Sequence, residues 1–169
     1  MLIRKLTPND AAALKAIRLE AVQDAPRSFW SNAEEVRARE LDSFCQQLSD
    51  PYETIYGVFL ESSLIAIAGL KRYGLAKLQH KATIFGVYTQ AMQRKQGIAR
   101  RLLLILLDDV YSDPNIVQIS LSVNTENQSA KALYISLGFE PYALEKNSMR
   151  VDGVFIHEEH LVLALPIRG

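Results

Sequence analysis

Four cations, Arg94, Lys95, Arg100 and Arg101, fall within eight residues around Gly97. They lead into an apolar stretch of Ile98, Leu102, Leu103, Ile105, Leu106 and Val110, whose spacing predicts a helix. Asp108 and Asp109 lie near its far end. That charge order opposes the helix macrodipole, whose positive N-terminal end favours acids. Each misplaced exposed charge costs about 0.3–1 kcal/mol. Free N–H groups at a helix start, reached through a glycine, form an anion site suited to phosphate. A solvated basic turn is the other reading of the same charges. The preceding Val87-Tyr88-Thr89 closes Lys81–Thr89, a stretch rich in β-branched and aromatic residues that predicts a strand. The cations therefore sit on a strand-to-helix connection.

A second constellation runs from Asn127-Gln128-Ser129-Ala130 through Leu133-Tyr134 to Gly138-Phe139. Asn127 suits a helix N-cap, Tyr134 follows two turns later, and Gly138 suits the helix end. The two constellations together resemble the GNAT superfamily of N-acetyltransferases. Its cofactor motif is Gln or Arg, two residues, Gly, one residue, then Gly or Ala, read here as Arg94-Lys95-Gln96-Gly97-Ile98-Ala99. Its second motif is Asn, two residues, Ala, two residues, Leu-Tyr, three residues, Gly-Phe, which is unbroken from Asn127 to Phe139. Short patterns recur by chance; the specificity lies in finding both in order, each on its strand–helix unit, across roughly residues 80–140.

The resemblance implies a set of roles. Backbone N–H groups of Gln96, Gly97, Ile98, Ala99 and Arg100 would bind the pyrophosphate of acetyl-CoA, with Gly97 free of a Cβ that would block the approach. Arg94, Lys95 and Arg101 would add charge or point to solvent. Backbone groups of the Val87-Tyr88-Thr89 segment would pair with the pantetheine arm as if it were an added strand. An amide N–H at that level would polarise the thioester carbonyl. Asn127 would hydrogen-bond the cofactor arm, cap its helix, or do both. Tyr134 would protonate the departing thiolate, since a phenol's ordinary pKa near 10 lies above that of a thiol. A half-buried tyrosine whose hydroxyl meets water is the plainer alternative.

Proton removal from the amine has no obvious agent. Many members of the superfamily carry an acid on the fourth strand, yet Lys81–Thr89 contains no carboxylate. Glu34, Glu35, His80 and Glu159 are the candidates. In the family the first two helices line the acceptor side, which nominates Phe29, Trp30 and Glu35; packing of Phe29 and Trp30 on the core is the competing reading. His157-Glu158-Glu159-His160 lacks the i, i+4 helical spacing of zinc proteases. On a strand, positions 157 and 160 face opposite sides, so no metal is expected.

These groups require a strand at Leu2–Leu6, then a helix opened by Thr7-Pro8-Asn9-Asp10 and ended before Pro26. A second helix over about Ala33–Leu48 follows, then a hairpin of Thr54–Leu60 and Leu64–Arg72 closed at Glu61-Ser62-Ser63. After Lys81–Thr89 come a helix from about Gly97 to Tyr111 and a turn at Asp113-Pro114-Asn115. Ile116–Val123 shows little alternation, as a central strand covered on both faces would. A helix at Asn127–Leu137 and a hairpin of Phe139–Met149 with Val154–Leu165 around Asp152-Gly153 complete the chain. This is the element order of the GNAT fold, so the resemblance implies an α/β (α+β) architecture. Its mixed, mostly antiparallel sheet would have about seven strands, splayed between the fourth and fifth, with four helices.

The bulk properties narrow the class. A chain of 169 residues is long enough for one domain, 1–169, with its own core. Net charge is zero, so no overall field draws the molecule to nucleic acid or an anionic membrane. Cys45 is the single cysteine, expected buried, and with no internal disulfide possible it points to a reducing cytoplasm. The apolar run Leu102–Leu107 is far short of the roughly 20 residues of a membrane span. The N-terminus lacks the features of a secretion signal. The expected protein is a cytoplasmic acetyl-CoA-dependent N-acetyltransferase, monomer or homodimer, that uses no metal. Its acceptor would be a small-molecule or peptide amine. A non-catalytic acyl-CoA-binding regulatory module is the alternative.

Overall fold

The computed structural model describes residues 1–167. Seven strands form one sheet: β1 (Leu2–Lys5), β2 (Glu53–Leu60), β3 (Ser63–Arg72), β4 (Lys81–Thr89), β5 (Gln118–Asn124), β6 (Glu140–Val151) and β7 (Val154–Ala164). Their spatial order is β1-β2-β3-β4-β5-β7-β6. Every neighbouring pair is antiparallel except β4 and β5, which run parallel and therefore need a crossover. The helix of that crossover is α4 (Ile98–Tyr111).

Two apolar clusters flank the sheet. Leu102, Leu103, Leu106, Leu107 and Val110 of α4 pack with Tyr134 of α5 (Gln128–Ser136) against Ile119, Leu121 and Leu161. On the other face, Leu14, Ile17 and Ala21 of α1 (Ala11–Asp24) join Val36 of α2 (Ala33–Ala38) and Phe44 of α3 (Leu41–Ser49). They cover Ile55, Phe59, Ile67 and Tyr88. Among the described residues, no helix is long and apolar enough to cross a membrane.

Three expectations need correction. The single helix over Ala33–Leu48 is two, because Arg39 and Glu40 take extended conformations between α2 and α3. Lys15 Nζ donates to the Arg37 and Arg39 carbonyls at 3.1 and 2.6 Å, so those carbonyls find a partner outside the helix. The described residues thus form five α-helices, not four. The strand buried on both faces is β3, where Leu64–Leu70 are all buried between α1 and α4. β5 instead alternates, with Ile119, Leu121 and Val123 buried and Ser120 and Ser122 less so. Cys45 is only partly buried, its Sγ 3.7 Å from the Pro8 carbonyl.

Candidate active site

The parallel strands β4 and β5 pair only at Lys81–Gln118, Ala82–Ile119 and Thr83–Ser120. Beyond that point they run on unpaired to Thr89 and Asn124. The Thr83 and Ser120 hydroxyls, 3.0 Å apart, close the base of the gap. The register of β3 with β4 slips between Ile67 and Gly69, opposite Gly86, whose φ is +60°. A bulge with a left-handed glycine takes a residue out of the ladder and bends the strand. β4 therefore departs from β5 with backbone groups aimed into the gap. The result is a cleft of 490 Å³.

One end of the cleft is the start of α4. Gly97, its N-cap, has φ +74°, a left-handed conformation that favours glycine. Lys95, two residues before, also has positive φ. The first helical bond runs from Arg101 N to Gly97 O, so the preceding N–H groups have no partner within the helix. A Cβ built at Gly97 would meet nothing within 4 Å, so the space before this terminus is an open cradle. Lys95, Gly97, Ile98, Ala99 and Arg100 line it, as do Val87, Tyr88 and Thr89 above. Gln96 does not; its amide instead lies 3.4 Å from the Met92 carbonyl.

The cations divide. Arg94 also lines the cleft, but it pairs with Asp24, donates to the Thr89 carbonyl at 3.0 Å, and lies over the Tyr88 ring. Arg100 donates to Ser136 Oγ at 2.7 Å. Lys95 and Arg101 make no ion pair among the described residues. The Tyr88 side chain turns to the α1 face, with its hydroxyl within reach of Glu20 and Asp24 at 3.1 and 3.2 Å. Glu20 also accepts from Gln90 at 2.8 Å. Glu20 and Asp24, one helical turn apart on α1, thus anchor the loop that carries the cradle. Sequence reading missed both, although their i, i+4 spacing marks a shared face.

The opposite wall is α5. Asn127 is its N-cap, with Oδ1 accepting from Ala130 N at 3.2 Å. Its Nδ2 has no hydrogen-bond partner among the described residues and Asn127 lines the cleft, so the capping and ligand readings are compatible. Tyr134 also lines the cleft. It is 6% exposed, not half-buried, with its ring edge-on to Phe139 at 6.2 Å. Burial pushes its phenol well above the ordinary value, so the hydroxyl stays protonated.

The acceptor-side residues separate. Phe29 lines the cleft and packs on Tyr88 at 6.2 Å, so it belongs both to the site and to the core. Trp30 is 79% exposed and, with Glu35, lines a neighbouring depression that Phe29 also borders. Trp30 Nε1 donates to Glu158 at 3.3 Å. Glu35 is spent as the partner of the Asn32 backbone in a capping box. Of the proposed proton acceptors, Glu34, Glu35 and His80 are exposed and outside the cleft. Glu159 is ion-paired to Lys131 on the α5 side. Glu158 is the buried acid that the sequence reading passed over, 5% exposed and hydrogen-bonded by Ser148 and Trp30. Asn124, also buried, donates to the Arg27 carbonyl at 2.8 Å and holds the segment after α1 against the end of β5. Among the described residues, no group of three or more His, Cys, Asp or Glu is placed to hold a metal.

Residues 3–159 match the acetyltransferase (GNAT) domain family. The N-alpha-acetyltransferase RimI of Mycobacterium tuberculosis is 32% identical over 66% of this chain and 67% of its own length. The [ribosomal protein bS18]-alanine N-acetyltransferase of Escherichia coli is 33% identical over 52% of this chain; the match spans 57% of that protein. The solved structure of yncA from Salmonella typhimurium with its cofactor acetyl-CoA superposes with a TM-score of 0.85 at 18% identity. It covers 100% of this chain and 96% of that one. By its matched domain and its relatives, this chain belongs to the GNAT acetyltransferase family.

Proposed function

We propose that this protein transfers an acetyl group from acetyl-CoA to a primary amine, and that the acceptor is the α-amine of a peptide or protein. The observation that carries the reading is the open cradle at Gly97, continuous with a cleft between parted strands that ends at a protonated, buried Tyr134. The acceptor class rests on the relatives named for N-alpha and ribosomal-protein alanine acetylation.

Acetyl-CoA supplies an acyl group already activated as a thioester. The N–H groups of Gly97, Ile98, Ala99 and Arg100 hold the pyrophosphate, helped by the α4 dipole and the Lys95 ammonium. The Gln96 side chain is turned away, so its part is limited to backbone. Backbone groups of Val87 beside the bulge and of Thr89 beyond it take the pantetheine amides, which orients the reacting carbon and accounts for much of the rate. The free Asn127 amide hydrogen-bonds the same arm. Tyr134 gives its proton to the leaving sulfur. Phe29 and Trp30 border the path by which the amine enters.

The test is a thiol-release assay with acetyl-CoA and a panel of peptides beginning with alanine or other residues, polyamines, aminoglycosides and free amino acids. Turnover is expected with at least one peptide amine. Tight acetyl-CoA binding without turnover on any acceptor would overturn the reading in favour of a binding module.

A further inference from the structure

A hydrogen-bonded chain crosses three strands beside the cleft and has no part in the roles above. Ser122 on β5 stands opposite His160 on β7 in the sheet register, with its Oγ 2.9 Å from His160 Nδ1. His160 Nε2 lies 2.8 Å from Glu145 Oε2 on β6. Ser122 lines the cleft, two residues past the last β4–β5 pair at Ser120. The His160 side chain is 27% exposed and that of Glu145 52%, so the chain leads from the cleft to water. The Tyr142 ring lies tilted against His160 at 6.1 Å.

Alternation along β5 turns Ser122 away from the α5 face, to which Leu121, Val123 and Tyr134 belong. On β7 the same face carries His160 and Glu158, and Glu158 is the partner of Trp30. The chain therefore opens on the side of Phe29 and Trp30, across the cleft from the phenol. The other acids near the gap are committed: Glu158 to Trp30 and Ser148, Glu159 to Lys131, and Asp24 to Arg94.

We propose that Ser122, His160 and Glu145 form a proton relay that takes a proton from the acceptor ammonium and delivers it to solvent; the inference rests on the acetyltransferase reading above. The Glu145 carboxylate accepts from Nε2–H, which leaves Nδ1 as the acceptor for the Ser122 hydroxyl. As the ammonium gives a proton to Ser122 Oγ, the Ser122 hydroxyl proton passes to Nδ1. Serine stays neutral throughout, and the imidazolium forms beside a carboxylate that stabilises it. The imidazolium then gives its Nε2 proton to water by way of Glu145, and exchange of the remaining ring proton with solvent after product release restores the Nε2–H tautomer. The freed lone pair makes the C–N bond as the C–S bond breaks, and Tyr134 protonates the sulfur. The nitrogen's second proton returns the phenol to its protonated form, directly or through water. One proton leaves to solvent and one ends on the thiol. Ser122 is the group that meets the amine; His160 and Glu145 act through it.

The test compares two acceptors in the full-length protein. One is a peptide with N-terminal alanine, assayed at pH 6.5, where an α-amine is mostly protonated. The other is semicarbazide, a weakly basic amine already neutral at that pH. His160→Gln and Ser122→Ala should lower kcat for the peptide by about 10²-fold, and Glu145→Gln by about tenfold, with acetyl-CoA affinity unchanged by calorimetry. For semicarbazide the same variants should lose less than about threefold, because no proton must be removed before attack. Equal losses on both amines, or no loss, would overturn the relay while leaving the acetyltransferase reading intact. An acetyl group trapped on Ser122 by mass spectrometry would also overturn it. Wild-type turnover of neither these two amines nor any acceptor of the wider panel would overturn both. Should His160→Gln fail to fold, Ser122→Ala carries the comparison, since it removes one oxygen.

Discussion

In the proposed reaction Tyr134 and Gly97 stand at the two ends of the chemistry, and each fits its task for a different physical reason. Burial holds the Tyr134 phenol above its ordinary value, so the hydroxyl stays protonated through the neutral range, as the proposed role requires. Tyr134→Phe keeps the ring edge on Phe139 and removes only the hydroxyl. We expect kcat to fall by roughly 10²–10⁴-fold with acetyl-CoA affinity little changed. The loss should shrink when the leaving thiol has a lower pKa. For the same reason the wild-type rate should show no falling limb near pH 10 from this group. An unchanged kcat with chemistry rate-limiting would remove Tyr134 from the role. Gly97 is a matter of space and conformation. Gly97→Ala meets no protein atom and costs about 1–2 kcal/mol for a left-handed non-glycine residue. Gly97→Glu adds a longer side chain and a negative charge in the cradle. It should abolish acetyl-CoA binding in calorimetry, whereas Gly97→Ala weakens it; retained affinity in Gly97→Glu would place the phosphates elsewhere.

The loop that carries the cradle is held by a helix distant in sequence. Asp24 at the end of α1 pairs with Arg94, and Tyr88 and Gln90 complete the anchor through Glu20. The Arg94 side chain is 45% exposed, so the pair is worth only about 0.2–1 kcal/mol. Asp24→Ala should therefore raise KM for acetyl-CoA by up to roughly fivefold and leave kcat nearly unchanged. A large fall in kcat would mean that Asp24 reaches the acceptor instead. This anchor also marks what the sequence left unread. Strand and helix order followed from periodicity and from Gly, Pro and Asn punctuation, and β4 at Lys81–Thr89 came out with its observed bounds. The cradle was readable because Gly97 and the adjacent cations are contiguous. Charge partners set by tertiary packing were not: Arg94 has the same local signature whether it meets a phosphate or Asp24. The break at Arg39-Glu40 was hidden because its stabilising donor, Lys15, lies on another helix. β5 was misread because Ile116 and Val117, just before it, mask the alternation that begins at Gln118. Ser122, Glu158 and His160 acquire meaning only through register between strands far apart in the chain.

Across the whole molecule, the titrating groups with clear shifts bind the sheet to its helices. Burial alone would raise Asp109 of α4, but hydrogen bonds from Tyr56, Lys5 and Arg72 outweigh it and hold its carboxyl at about 2. These partners come from β2, β1 and β3, so one carboxylate ties three strands to the crossover helix. Asp10 is likewise held well below the usual range, chiefly by hydrogen bonds from Arg4, which outweigh its burial. A depressed carboxylate contributes stability that is present above the unfolded value near 4 and is lost as pH falls through the folded one. At the other extreme, burial first, then neighbouring acids for Tyr56 and Tyr88, raises three phenols, with Tyr134 the third. Their contribution is present below the unfolded value near 10 and is lost as pH rises above it. With a formal net charge of zero at pH 7, self-repulsion is least near neutrality and grows toward both limits. Thermal denaturation should therefore give a Tm that is highest near neutrality, declines toward about pH 4 and pH 10, and falls more steeply beyond them. Asp109→Asn removes the carboxylate while keeping an acceptor for Tyr56. Its deficit relative to the wild-type protein should be greatest near neutrality and should close as pH approaches 2, where the native carboxylate is itself protonated. A deficit of constant size over that interval would show that Asp109 acts by shape alone and that its charge does not join the sheet to α4.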